Sequence, residues 1–357
     1  MATDPAIDPS AYASLLVIDV TSGKTLYKSE PTKSWTAASL TKLMTAEAFT
    51  ATPTKWEASG NILKQDEVGG GRLAVPSGAR MTLRDLMYSA IVGSANNAAE
   101  ALARLDGPGS TAFVKKMNAR AQALGLLNTV FHDASGMNPN NKTTAYDMAN
   151  LFVDAATDPE VKKAMTVPSY QFTVAAKPAL AKNVKNTNLL VASDSSIIVT
   201  GGKTGYLVES RYNFALSAKP GPGQPPEAGE VLAIVFGAAS RDDSQAAAAS
   251  LAKWSWNSFD WQSTSSTTIT FTRSLMLNDK GPDVKRLQQY LNTHGAVIAL
   301  SGAGSPGHET DLFGPLTRTA FIKFQEARAV DILTPQGITK GTGVLDILTR
   351  SYLNEHP

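Results

Sequence analysis

Three short strings hold residue types able to do acyl-transfer chemistry, and they occur in one chain order: Ser39-Leu-Thr-Lys42, Ser94-Ala-Asn96 and Lys203-Thr-Gly205. A serine hydroxyl becomes a nucleophile only when a neighbouring group takes its proton. Residues three apart on a helix share a face, so Ser39 and Lys42 place hydroxyl and amine within hydrogen-bond reach. A free lysine, with a pKa of about 10.4, is protonated at neutral pH and turns into a base only when burial and a second cation push it down by several units. Lys203 is expected to be that cation. Ser94 is expected to relay the proton from Lys42 to a leaving amine, and the Asn96 amide to hold Lys42 and the substrate backbone. Lys203 and Thr204 suit a terminal carboxylate, and Gly205 lets a substrate strand approach the sheet edge closely. The backbone N–H groups of Ser39 and Tyr206 form the expected oxyanion site.

None of the strings is specific alone. The first pattern recurs at Ser250-Leu-Ala-Lys253, and the second at Ser59-Gly-Asn61 and Ser255-Trp-Asn257. Order and context select the first set, which puts the serine-lysine pair at a helix start, the second serine between two helices, and the second lysine on a strand. Ser250 and Lys253 read as the surface face of a later helix.

The elements that must position these residues are legible in outline. Residues 13–20 and 25–29 read as a hairpin. Residues 37–50 lack Pro and Gly and read as a buried helix. Thr82 caps a helix with an apolar face at Leu83, Leu86, Met87 and Ile91. An Ala-rich helix follows over 96–105, which leaves Ser94 in the link. Strands are expected at 196–200, 203–208, 212–218 and 231–238, and a helix at 245–256. Helices around one antiparallel sheet make an α+β domain over residues 1–262. The polar stretch from Gln262 cannot bury enough apolar surface to fold, so 263–272 reads as a Ser/Thr-rich linker. Residues 273–357 carry helices near 284–292, 316–325 and 345–353, a small three-helix domain.

The 357 residues are 43% hydrophobic and 18% charged, with a formal net charge of +2. No apolar run is long enough for a membrane span, and no basic stripe interleaved with aromatics points to nucleic acid. With no cysteine and four histidines, and no HExxH, neither thiol chemistry nor a metal site is supported. No cofactor is expected, and a GxSxG elbow is absent.

Beyond the three strings, Ala38-Ser-Leu-Thr-Lys-Leu-Met-Thr45, Gly93-Ser-Ala-Asn-Asn-Ala98, Ala145-Tyr-Asp-Met-Ala149 and Gly202-Lys-Thr-Gly-Tyr206 with Tyr212-Asn213 occur in order. With them, residues 12–261 resemble the serine D-alanyl-D-alanine carboxypeptidases, the low-molecular-mass penicillin-binding proteins of the DD-peptidase/β-lactamase superfamily. The resemblance implies that fold, removal of the terminal D-Ala from peptidoglycan stem peptides through an ester on Ser39, and covalent inhibition by β-lactam antibiotics. It also implies a monomer acting in the periplasm or extracellular envelope, exported by a signal that this sequence does not carry. Family members often place an arginine after the last strand to bind the substrate carboxylate. Ser244 aligns there, and Arg241 is the expected substitute. Gly281-Pro-Asp-Val284, Leu287-Gln288, Phe313-Gly314 and Phe324-Gln325 resemble a peptidoglycan-binding three-helix module that engages the sacculus. Removing residues 263–357 is therefore expected to weaken sacculus binding and to leave turnover of small peptides nearly unchanged.

Two other enzymes share the strings. A D,D-endopeptidase that cuts crosslinks uses every motif named here. A class A-like β-lactamase needs a glutamate between the second and third strings, and after Glu100 the sole glutamate there is Glu160, in a segment that does not resemble the required loop.

Overall fold

The computed structural model describes residues 4–261 and 271–357. The expected linker falls, up to residue 270, outside the described residues. Five antiparallel strands form one sheet, in the spatial order Thr25–Ser29, Ser14–Asp19, Val231–Ala238, Arg211–Pro220 and Ile197–Leu207. Because side chains alternate across a strand, each central strand feeds two cores. Leu16, Ile18, Ile234 and Phe236 face a helical layer that includes Thr41–Thr50, Leu83–Ile91, Asn96–Leu105 and Ala145–Ala155. Leu15, Val17, Ala233 and Val235 face the helix Arg241–Ser258 through Leu251, Ala252 and Trp256. The fold class is thus the expected α+β arrangement of an antiparallel sheet flanked by helices.

Two local expectations change. The strands expected at 196–200 and 203–208 are one continuous strand. Its two glycines serve close packing: a Cβ on Gly201 would come 2.9 Å from the Phe152 ring, and one on Gly202 2.3 Å from the Asn188 amide. The ladder irregularity falls within this strand: Ser217 pairs with Gly201 and Ala218 with Val199, so Thr200 is the extra residue of a bulge. The helix expected from residue 37 begins instead as a 3-10 turn, Ala38–Leu40, followed by the α-helix Thr41–Thr50. Ala38 has φ +49°, a conformation costly for a residue with a Cβ, so Ser39 sits on a sharp corner.

The C-terminal region contains the helices Pro282–Thr293, Pro315–Ala327 and Ile347–Glu355, with the short helix Ala329–Ile332 between the last two. Leu275, Leu287, Leu291, Phe321 and Phe324 form its own core. It also docks on the remainder of the chain, since Met276, Val344 and Ile347 are buried within the core between the sheet and its helical layer. The Ile347 amide donates to Asn150 Oδ1 at 2.9 Å, Arg350 Nη2 to the Val20 carbonyl at 2.8 Å, and Asn354 Nδ2 to the Ser22 carbonyl at 3.1 Å. The turn of the N-terminal hairpin receives the last helix: Gly23 has φ +84°, and a Cβ there would come 2.3 Å from the Ile347 carbonyl oxygen. Among the described residues, no helix is long and apolar enough to cross a membrane.

Candidate active site

Ser39 opens onto a cleft of about 380 Å³ shared with Ser94, Asn96, Thr204, Gly205, Tyr206 and Arg241. One wall is the free side of the edge strand Ile197–Leu207, and the other comes from the helical layer. A Cβ on Gly205 would lie 3.3 Å from the Ser39 amide nitrogen and 3.2 Å from the Ala37 carbonyl. The strand therefore runs directly beside the serine corner. Asn213 ties the two together, donating from Nδ2 to the Thr36 carbonyl at 2.9 Å and accepting from the Gly237 amide at 3.1 Å.

Lys42 is fully buried. Its Nζ lies 2.9 Å from Ser39 Oγ, 2.6 Å from Asn96 Oδ1 and 2.6 Å from the Ser135 carbonyl oxygen. The last two partners only accept, and the Asn96 amide is oriented by the bond from its Nδ2 to the Gly69 carbonyl at 2.8 Å. A neutral amine has two N–H groups and one lone pair. With both N–H groups committed to Asn96 and Ser135, the lone pair is left for the Ser39 hydroxyl proton. Burial pushes Lys42 down to about 7, against the opposing charges of Asp133 and Glu100.

Lys203 is also buried, and its Nζ donates to Ser94 Oγ at 2.8 Å and to the Thr204 carbonyl at 2.8 Å. Burial lowers it well below the ordinary lysine range, and the charges of Lys42 and Arg241 lower it further. Burial is the main cause of the lowering at Lys42, and the two buried amines, each in the other's field, disfavour one another's charged form. One further expectation changes in partner. Ser94, in the left-handed conformation at φ +56°, is bonded to Lys203 and not to Lys42. The Asn96 amide holds Lys42 through its oxygen, and one of its two N–H groups goes to the Gly69 carbonyl.

The Thr204 hydroxyl donates to Thr187 Oγ1 at 2.7 Å. The half-exposed Tyr206 ring rests on Tyr212 with centroids 4.4 Å apart. Arg241 is exposed at the start of its helix, and both it and Ser244 line the cleft. The Ser244 hydroxyl is spent on the Arg241 carbonyl at 2.7 Å, which leaves Arg241 as the charged group of the two. The competing strings do not assemble: Ser250 is exposed, and Lys253 pairs with Asp194 at 2.7 Å. Glu160 is held by Arg84 and the Tyr88 hydroxyl and does not line the cleft.

Sequence reasoning missed the segment 131–141. Asp133 accepts from the Gly136 amide at 2.7 Å, the Asn138 amide at 2.6 Å and Asn141 Nδ2 at 2.8 Å, folding the loop so that Ser135 presents its carbonyl to Lys42. Gly136, at φ +85°, passes the serine corner so closely that a Cβ would come 2.0 Å from the Ala38 carbonyl oxygen. The available signal was the run of turn formers Asp133, Gly136, Asn138 and Asn141. No group of side chains able to hold a metal occurs among the described residues.

A family model for D-alanyl-D-alanine carboxypeptidase matches residues 2–240. A D-alanyl-D-alanine endopeptidase of Haemophilus influenzae is 32% identical over 208 residues, covering 58% of this chain and 70% of that protein. The D-alanyl-D-alanine carboxypeptidase DacF of Bacillus subtilis is 28% identical over 263 residues, 69% and 62% of the two chains. The crystal structure of the Streptomyces K15 DD-transpeptidase matches with a TM-score of 0.65 at 26% identity, over 71% of this chain and 99% of that one. The chain spans 62% to 70% of the length of these curated relatives. The matched span contains all five strands of the sheet, the serine corner and both lysines, and on that ground the chain belongs to the D-alanyl-D-alanine carboxypeptidase family.

Proposed function

We propose that this chain removes the terminal D-alanine from peptidoglycan stem peptides through an ester on Ser39. The observation that carries the reading is the buried Lys42 amine, 2.9 Å from Ser39 Oγ, with its other hydrogen-bonding positions filled by acceptors. The substrate carboxylate docks between Lys203, Thr204 and Arg241. Its negative charge opposes the burial that lowers Lys203 and favours the charged form of that lysine. Ser39 Oγ attacks the carbonyl carbon of the penultimate residue while its proton passes to Lys42 Nζ. The oxyanion is held by the amides of Ser39 and Tyr206. The C–N bond then breaks and the leaving amine takes up the proton that Ser39 gave to Lys42, a relay through Ser94 Oγ requiring that hydroxyl to turn from Lys203 toward Lys42. Water attacks the ester in the reverse sense, with Lys42 as base, and regenerates Ser39.

The C-terminal helices serve as a peptidoglycan-binding module, and the protein works as a monomer in the periplasm or the extracellular envelope. Linking a catalytic unit to a second site on the same polymer raises the local substrate concentration. β-Lactams acylate the same serine. A second reading, D,D-endopeptidase, is favoured by the relatives of that name that are 32% and 35% identical.

Mass spectrometry after penicillin exposure should place the adduct on Ser39 and find none in Ser39→Ala. An adduct elsewhere overturns the reading. Incubation with crosslinked and uncrosslinked muropeptides then separates the two activities: release of free D-Ala supports the carboxypeptidase, and release of monomers from crosslinked dimers supports the endopeptidase.

A further inference from the structure

Two charged residues line the cleft, Arg241 and Glu209. Arg241 takes part in docking the substrate carboxylate, and the reaction leaves Glu209 unused. Glu209 belongs to the exposed turn that joins the edge strand Ile197–Leu207 to its neighbour Arg211–Pro220. The buried Ser210 pins that turn. Its hydroxyl accepts from the Leu207 amide at 2.9 Å and donates to the Arg211 carbonyl at 2.8 Å, and its own carbonyl accepts from Trp35 Nε1 at 3.1 Å. Among the described residues, no hydrogen bond or ion pair engages the Glu209 carboxylate. Arg211, the nearest base in sequence, does not line the cleft.

The strand register fixes where a bound stem peptide meets that carboxylate. Backbone groups along a strand point alternately to its two sides. The Leu207 amide is turned inward, into the hairpin. The Tyr206 amide and carbonyl are therefore turned to the free side, as is the Thr204 carbonyl that Lys203 Nζ reaches at 2.8 Å. With its terminal carboxylate at Lys203 and Thr204 and its scissile carbonyl at the Tyr206 amide, the peptide lies antiparallel to the edge strand, as an added strand. Each further residue advances it by about 3.3 Å. The third residue of the stem, just before the penultimate one, passes Leu207, and a long side chain on it reaches the turn that carries Glu209. Stem peptides are crosslinked through a side-chain amine on that residue, a cation when free and a neutral amide once joined. We propose that Glu209 is a specificity-determining residue that pairs with this amine and selects stems in which it is free. The proposal rests on the carboxypeptidase reading of the same cleft.

The test compares release of D-Ala by the full chain from two peptides, Nα-acetyl-L-lysyl-D-alanyl-D-alanine and its Nα,Nε-diacetyl form, which differ only in the side-chain charge. An exposed ion pair changes an equilibrium by up to about fivefold, so the wild type should show a kcat/KM ratio of about three to five in favour of the free amine at low salt. The ratio should shrink toward one in about 1 M salt, where the screening length falls to about 3 Å. Glu209→Gln should bring the ratio toward one at low salt, and Glu209→Lys should invert it. A wild-type ratio of one, a ratio that Glu209→Gln leaves in place, or an equal loss on both peptides overturns the proposal. Failure of the underlying reading has a different signature: D-Ala is released from neither peptide, or its release survives Ser39→Ala, and the proposal then falls together with that reading.

Discussion

Ile347→Ala tests whether the C-terminal helices are part of the catalytic fold's cooperative unit. Ile347 is 1% exposed and belongs to the core between the sheet and its helical layer, although it starts the last helix of the chain. The substitution keeps the backbone bond from residue 347 to Asn150 and removes only buried methyl groups. A large-to-small change at such a site costs about 2–5 kcal/mol. Whole-domain stabilities are on the order of 5–15 kcal/mol. At about 2 °C per kcal/mol for a cooperative unit of this size, the melting temperature should fall by roughly 4–10 °C. Calorimetry should find one transition, and penicillin acylation of Ser39 measured after heating should be lost at the same lowered temperature. A separate C-terminal transition that moves alone, with Ser39 inactivating at the wild-type temperature, would refute the reasoning. The docking contacts also replace the expectation that removing residues 263–357 leaves catalysis nearly unchanged. Such a truncation exposes the apolar surface under Met276, Val344 and Ile347, and its catalytic part should be heat-labile.

Gly205→Val should reduce acylation of Ser39 by on the order of 100-fold, since displacing a reacting group by about 1 Å costs that much. The new Cβ would press on the Ser39 amide and Ala37 carbonyl at 3.3 and 3.2 Å, and an unchanged kcat/KM would contradict the close approach. Asp154, beside Glu47 and Arg120, is pushed up to about 8, first by burial and then by Glu47. Between about pH 4 and 8 the folded chain therefore binds a proton that the unfolded chain does not, so this group's stabilisation is complete below pH 4 and lost as pH rises through 8. Asp154→Asn should flatten the fall of stability over that window, and equal slopes for the two proteins would show that Asp154 does not carry it.

The elements carrying the chemistry were readable because their signals are local. Thr82 caps its helix and closes a capping box with Asp85 as its sequence position suggests, and the helix expected over 96–105 forms at those bounds. The hairpin, the antiparallel sheet and the site residues gathered around Ser39 were likewise legible from period and order. What escaped was set by packing between distant segments. Gly201 and Gly202 look like a break between two strands, and only the proximity of Phe152 and Asn188 makes them requirements of one strand. Asn213 is a polar residue in an apolar strand, and its reason lies 176 and 177 residues away at Ala37 and Thr36. The loop around Asp133 carries turn residues, but nothing local says that its Ser135 carbonyl ends on Lys42. The docking of the last helix on Gly23 and Asn150 is likewise a pairing between chain ends that no window of sequence contains.

The same long-range constraint explains why an amine can do the work that a histidine does elsewhere. A lysine side chain is flexible, and an unconstrained neutral amine would point its lone pair anywhere. Here the direction is fixed by subtraction: Asn96 and Ser135 take the two N–H groups, and Ser39 receives what is left. Each acceptor is in turn locked, Asn96 by Gly69 and Ser135 by the Asp133 turn. Burial alone would yield a neutral lysine with no preferred target, and the acceptors alone would hold a charged one. The nucleophile needs both, and for that reason the serine-lysine spacing of the first string is uninformative at Ser250 and Lys253, where the same residues lie on the surface of a helix and the lysine keeps an aspartate as its partner.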